Sequence, residues 1–136
     1  MASLMDALLI DTDVFSFLFK GDTRADRYLP HTTGKRLCLS FMTVAELLRW
    51  ALAYNWGPAR RQSLDRALGR YLVLPYDAVM SETWARITVQ RARAGKPISC
   101  GDGWIAASAV RHGLELLFHN GKDFLGIEGL RLTLAT

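Results

Sequence analysis

Asp11 and Asp13, Glu46, Asp102 and Asp123 are carboxylates set at separated points of a 136-residue chain, most of them beside apolar sequence. Asp11 ends the run Ala-Leu-Leu-Ile, Glu46 lies among Val44, Ala45, Leu47 and Leu48, and Asp102 opens an apolar stretch. An ionised carboxylate removed from water needs a compensating partner, and a divalent cation is the usual one. Hard cations such as Mg²⁺ or Mn²⁺ favour carboxylate oxygens of this kind over thiolates. The residues therefore point first to metal-dependent chemistry on phosphates.

Each acid also has a purely structural reading. Asp11-Thr12-Asp13 stands at a strand-to-helix junction, where Asp and Thr cap helices, and capping is the expectation for Asp13. Thr43-Val-Ala-Glu46 matches a capping box, although Ser40-Phe41-Met42 could already begin the helix and place Glu46 inside its second turn. Asp102, between Gly101 and Gly103, could cap a helix or offset its dipole. Asn120-Gly121 reads as a turn, with Asp123 capping the helical turn after it. His31, His112 and His119 have no evident partners in sequence, and His119, although next to the proposed site, reads as a surface histidine.

The elements that must carry these side chains follow from apolar patterning and breakers. Short strands are expected at Ala7–Ile10, Arg36–Leu39, Tyr71–Leu74, Leu114–Phe118 and Leu130–Leu134. Helices are expected over Val14–Lys20, Asp22–Leu29 closed by Pro30, Phe41 to about Asn55, Arg60–Gly69, a segment capped by Asp77 running to about Ala94, and Asp102–His112 with Gly113 just beyond. Short apolar strands alternating with helices predict an α/β fold, a sandwich around a mostly parallel sheet of about five strands, in one domain spanning 1–136. In such sheets ligands sit beyond the carboxyl ends of the strands, which is where Asp11, Asn120 and Asp123 fall. Glu46 and Asp102 lie within a turn or two of helix starts at the same end.

Half of the residues are hydrophobic and 22% are charged, with a net charge of +4. The apolar segment Leu4–Leu18 is interrupted by Asp6, Asp11 and Asp13, so it predicts neither a membrane span nor a signal peptide. Cys38 and Cys100 are expected to be buried thiols in a reducing cytoplasm, and no Cys/His cluster has zinc spacing. Arginines crowd the central stretch; Arg60, Arg61, Arg91, Arg93 and Lys96 are candidates for holding a phosphate backbone, against the plainer reading of a solvated helix face. Trp50, Trp56, Trp84 and Trp104 are expected in the core or at a dimer interface.

Four segments together resemble the motifs of PIN-domain nucleases. Leu-Leu-Ile-Asp11-Thr12-Asp13-Val-Phe is similar to their opening strand and acid. Ser40-Phe-Met-Thr43-Val-Ala-Glu46-Leu is similar to their second motif, and Pro97-Ile-Ser-Cys-Gly-Asp102-Gly-Trp-Ile-Ala-Ala to their third. Phe118-His-Asn120-Gly-Lys-Asp123-Phe resembles the fourth, with Phe118 where the family usually has Thr, and Gly103-Trp104 also departs from its pattern. A free-standing domain of this length is similar to VapC toxins of toxin–antitoxin pairs. The resemblance implies a PIN-like α/β/α sandwich and Mg²⁺- or Mn²⁺-dependent endoribonuclease activity, often on tRNA or rRNA. It also implies homodimerisation and inhibition by a cognate antitoxin. By position it makes Asp11, Glu46 and Asp102 the core acids and metal ligands, with a fourth contribution from Asn120 or Asp123; Thr12, Asp13 and Thr43, near these acids in sequence, are candidate supporting neighbours.

Two other readings remain open at this point. One is a catalytically degenerate PIN-like binding module, which Phe118 keeps in play. The other is a haloacid-dehalogenase-like phosphatase with Asp11 as nucleophile and Asp13 as acid/base, which lacks the second acid expected after Gly101-Asp102 and leaves Glu46 without a role.

Overall fold

The strand β1 (Ala7–Ile10) runs through the middle of the protein, and its alternating side chains enter two separate cores. In the computed structural model, which describes residues 6–133, Leu9 packs on one face of the sheet and Leu8 and Ile10 on the other. β2 (Arg36–Ser40) and β4 (Glu115–Leu117) flank β1, with Leu9 opposite Cys38 on one side and Leu116 on the other. β3 (Leu72–Leu74) and β5 (Leu132–Thr133) form the edges, giving the order β3-β2-β1-β4-β5 with every pairing parallel. The fifth strand is shorter than the expected Leu130–Leu134, and Leu134 lies outside the described residues.

One face is covered by α1 (Thr12–Lys20), α3 (Phe41–Ala53) and α4 (Pro58–Leu68), which bury Phe15, Leu47 and Leu64 against Leu8, Ile10 and Leu39. The other is covered by α5 (Ala78–Arg93) and α6 (Cys100–His112), through Met80, Ile87, Ile105 and Ala106. The expected sandwich is therefore present, and each fully buried Leu or Ile contributes roughly 1.5–3 kcal/mol. Between the layers, the buried Ser40 and Ser108 hydroxyls meet at 2.9 Å, so neither is left unpaired.

Helix boundaries follow capping chemistry that the sequence reading placed only in part. Asp77 caps α5 through the Met80 N–H, and Gly113 closes α6 at φ 66°, a left-handed conformation open to glycine at little cost. The segment after α1 divides in two: a 3₁₀ turn at Thr23–Arg27, capped by Asp22, and a one-turn α2 (Leu29–Thr32). Pro30 lies in the first turn of α2 instead of ending a helix, where its missing N–H costs nothing. Cys38 is buried, but Cys100 is exposed at the start of α6, contrary to expectation; both are free thiols.

The chain passes outward from β1 through β2 to β3 and then returns to place β4 on the other side of β1. That reversal opens a crevice at the carboxyl ends of β1 and β4. α6 is pinned next to it by a close approach to α5, because Gly103 faces Trp84, whose ring stacks on that of Trp104 with centroids 5.1 Å apart. A Cβ at Gly103 would stand 2.9 Å from Trp84 Nε1 and 3.3 Å from Thr88 Cγ2. Replacing Gly103 with Val should lower stability by about 2–3 kcal/mol through this overpacking. Urea unfolding would register it as a lower midpoint at unchanged slope, and an unshifted midpoint would contradict the tight helix contact.

Candidate functional site

Asp11 immediately follows β1, and its own N–H continues the ladder to Leu117 O at 3.0 Å. Its side chain is 4% exposed and accepts two backbone hydrogen bonds, from Val14 N–H to Oδ1 at 2.8 Å and from His119 N–H to Oδ2 at 3.2 Å. Asp11, not Asp13, is thus the cap of α1, and Asp13 is exposed in the first turn. The two donors favour the carboxylate, but burial outweighs them and raises its pKa to about 7, helped by Asp13 and Asp102.

Glu46 comes from the second turn of α3. Ser40, rather than Thr43, caps that helix through the Met42 N–H, so the capping-box reading of Glu46 does not hold. The Thr12 hydroxyl donates to Glu46 Oε1 at 3.1 Å and lies 3.0 Å from the Thr43 hydroxyl. A hydroxyl has one proton, so if Thr12 gives its proton to Glu46, Thr43 must donate to Thr12. This three-member chain fixes the Glu46 carboxyl group against the start of α1. Burial raises the Glu46 pKa, Thr12 lowers it, and Asp102 and Asp13 raise it further.

Asp102 sits in the first turn of α6, and Ser99 caps the helix by accepting the Asp102 N–H at 3.1 Å. The capping reading of Asp102 is therefore replaced, while its place in the first turn keeps the dipole-offsetting one, and the Ser99 side chain also hydrogen-bonds its carboxyl group. A Cβ on Gly101 would stand 3.5 Å from the Glu46 carboxyl atoms, which places Glu46 directly against the first turn of α6. Asp102 is half-buried, and burial raises its pKa ahead of contributions from Asp123 and Asp13. Asn120, not Asp123, caps the 3₁₀ turn Gly121–Asp123, its Oδ1 accepting the Lys122 N–H at 3.3 Å. Phe118 turns its ring toward Phe124, at 6.2 Å, where it packs below this turn.

Asp11, Glu46, Asp102, Asp13 and Asp123 thus share one edge of the sheet and influence one another electrostatically. Burial and neighbouring acids, not basic side chains, are the leading influences that raise the pKa values of Asp11, Glu46 and Asp102. Among the described residues, no three His, Cys, Asp or Glu side chains converge as a ready-made metal cage. The donor set still fits a hard cation: Mg²⁺ keeps several waters and needs only one or two carboxylates, and this edge concentrates uncompensated anionic oxygen.

The basic candidates separate. Arg60 lies over the Trp56 ring at 3.8 Å, and Arg61 pairs with Asp65 at 3.2 Å. Arg93 and Lys96 are exposed. Arg91 is 5% exposed and donates to Leu125 O at 2.6 Å and Lys122 O at 2.9 Å, so it fastens the loop carrying Asp123 and cannot meet a phosphate backbone. His119 is exposed, as its surface reading expects, but it does have partners: its Nδ1 meets the Tyr28 hydroxyl at 2.5 Å, and its ring stands edge-on to Phe17. No residue pattern signalled either contact, since their partners lie 31 to 91 positions away or are backbone carbonyls.

A PIN domain family model matches residues 8–130. The chain belongs to the PIN domain family. This PIN domain is 35% identical over 125 residues to the VapC ribonuclease Y4jK of Sinorhizobium fredii, covering 86% of this chain and 89% of that protein. It is 27% identical over 123 residues to the tRNA(fMet)-specific endonuclease VapC of Shigella flexneri, covering 90% and 93%. Among solved structures, the DNA-bound VapBC of Salmonella typhimurium matches with a TM-score of 0.74 and 28% identity, over 93% of this chain and 96% of that one. A VapBC2 structure from Rickettsia felis, at 19% identity and a TM-score of 0.81, shares the fold, covering 93% and 97%. The PIN domain is thus homologous to VapC-type ribonuclease toxins, which sets the phosphatase reading aside. Among the described residues, none of its helices is long and apolar enough to cross a membrane.

The charge at this edge has a consequence for stability. Folded Asp11 keeps its proton up to about pH 7, whereas the unfolded chain loses it near the ordinary value of 3.8. Between those values the folded state binds more protons, so metal-free stability should fall as pH rises from about 4 to 7 and level off above. Glu46 and Asp102, shifted in the same direction, add to the slope. Asp22 and Asp77, held low by Arg24 and Arg111, act below that window. Thermal melts in EDTA should show this decline, and Asp11→Asn should flatten it; an equal slope in both proteins would contradict the assignment.

Proposed function

We propose that this chain is a Mg²⁺- or Mn²⁺-dependent endoribonuclease that hydrolyses RNA phosphodiester bonds, with tRNA or rRNA as substrate, as the toxin of a toxin–antitoxin pair. The observation that carries the reading is the gathering of Asp11, Glu46 and Asp102 at one sheet edge, each carboxyl pKa raised by burial and by the other acids. Homology to VapC ribonucleases supports the same chemistry. The VapBC structure of Salmonella typhimurium and the toxin–antitoxin complex of Klebsiella pneumoniae among its structural relatives support a cognate antitoxin as partner. A homodimer remains part of the proposal.

In this reading Asp11, Glu46 and Asp102 hold the cation, and Asp123 is the better fourth acid because the Asn120 side-chain oxygen is already engaged with the Lys122 N–H. The chemistry supplied on binding Mg²⁺ or Mn²⁺ is a water of lowered pKa and a counter-charge for the phosphate. The Val14 and His119 N–H groups orient Asp11, and the Thr43–Thr12 relay orients Glu46, so both acids are positioned before substrate arrives. Asp13 adds negative charge from the exposed face of α1. Arg60, Arg61, Arg93 and Lys96 are the candidates for holding the RNA backbone, which would make affinity fall with salt. Because a cation must compete with the proton on Asp11, its binding should weaken as pH falls below about 7.

Purified protein incubated with total tRNA and rRNA should release discrete fragments in Mg²⁺ or Mn²⁺ and none in EDTA. Asp102→Asn and Glu46→Gln should each reduce the rate on the order of a hundredfold or more. A folded protein that binds Mn²⁺ calorimetrically yet cleaves no RNA would favour a binding module. Absence of any cation binding would defeat the carboxylate-site reading itself.

A further inference from the structure

Of the aromatic residues around the turn from α3 to α4, Trp50 and Trp56 pack against the core with part of their surface only, and Tyr54 stands outside it. Tyr54 is 74% exposed and neighbouring Leu52 71%, while Trp50 and Trp56 are half-buried. With Lys20 from the end of α1 and Arg60 from α4, these three aromatic residues line an open hollow of about 520 Å³. Trp56 forms its rigid floor, with the Phe19 ring stacked at 6.2 Å and 9° and the Arg60 guanidinium 3.8 Å from the Trp56 centroid. The lining contains two cations and no acid.

Aromatic surface beside unopposed cations suits single-stranded nucleic acid, whose bases stack on rings while its phosphates meet the cations. The position of the hollow relative to the acids favours this occupant. α1 and α3 both begin at the acidic edge, where Thr12 donates to Glu46, and both end at the hollow, where Lys20 faces Trp50 and Tyr54. Thr12 to Lys20 and Glu46 to Tyr54 are each two turns and a little more, about 12 Å along the helix axes. That span corresponds to roughly three stacked nucleotides. Resting on the ribonuclease reading above, we propose that this hollow is a substrate subsite. It stacks one base of single-stranded RNA on Tyr54 and Trp50, about three nucleotides from the scissile phosphate, and holds a neighbouring phosphate with Lys20 and Arg60.

The test separates the subsite from the nuclease. Binding is measured by fluorescence anisotropy in EDTA, with the full chain carrying Asp102→Asn and a labelled single-stranded oligouridylate. Adding Tyr54→Ala should weaken binding about tenfold, and Tyr54→Phe should restore it. Lys20→Ala and Arg60→Ala should each reduce the slope of log affinity against log salt by about 1. An abasic nucleotide moved along the oligonucleotide should abolish the Tyr54 effect at one position only. In the cleaving protein, the Tyr54→Ala loss should fall on KM, and an RNA too short to reach the hollow should lose its dependence on Tyr54. Metal-dependent cleavage with KM indifferent to Tyr54, Lys20 and Arg60 would overturn the subsite and leave the nuclease standing. Tyr54-dependent RNA binding without any cleavage would support the subsite and defeat the nuclease. RNA binding that depends on none of these residues would overturn the subsite and leave the surface to a protein partner.

Discussion

A carboxyl group removed from water at the end of the central strand is the constraint around which the rest of this edge is arranged. Asp11 loses its solvation because β1 is flanked on both sides and both faces of the sheet are covered. Two backbone N–H groups return part of that loss. They come from the helix that follows β1 and the loop that follows β4, so the two segments are held at the switch point by the same carboxyl group. Glu46 repeats the pattern at lower burial, with hydroxyls in place of amides. The site is a set of acids whose ionised forms are supported by dipoles but left short of positive charge, an environment that selects a cation by electrostatics before geometry.

Much of this was legible from residue types because the sheet obeys simple rules. The run Ala-Leu-Leu-Ile followed by Asp identified a buried strand with an acid at its carboxyl end, and the alternation of its side chains between two cores is the physical content of that pattern. Glu46 was readable as more than a cap because Ser40 offered an earlier helix start, and the structure uses it. The capping assignments themselves were less secure. Asp11 and Asp13 are chemically equivalent as caps, and what decides between them is where β1 ends and α1 begins, which leaves Asp11 to accept the Val14 N–H.

Long-range contacts account for what the sequence concealed. Arg91 has the spacing of a surface arginine on an amphipathic helix, yet its guanidinium is drawn inward by two carbonyls of a distant loop. His119 has no neighbour in sequence that would mark it, since Tyr28 reaches it only through the packing of Phe17. Phe118 illustrates the reverse case. Its departure from the family pattern was visible at once, but its effect was not: the ring supports the Asn120–Asp123 turn by packing against Phe124, so the loop keeps its shape without the hydroxyl.

The three central acids belong to different layers of the sandwich. Asp11 extends from the sheet, Glu46 rides on a helix packed against one face, and Asp102 on a helix packed against the other. Their mutual spacing therefore measures the alignment of the layers, and a small shear of either helix against the sheet changes the repulsion among all three. An ion lodged there would act as a rivet through the stack. With such an ion bound, the edge where chemistry is proposed to occur would equally be the place where the two helical layers are kept in register.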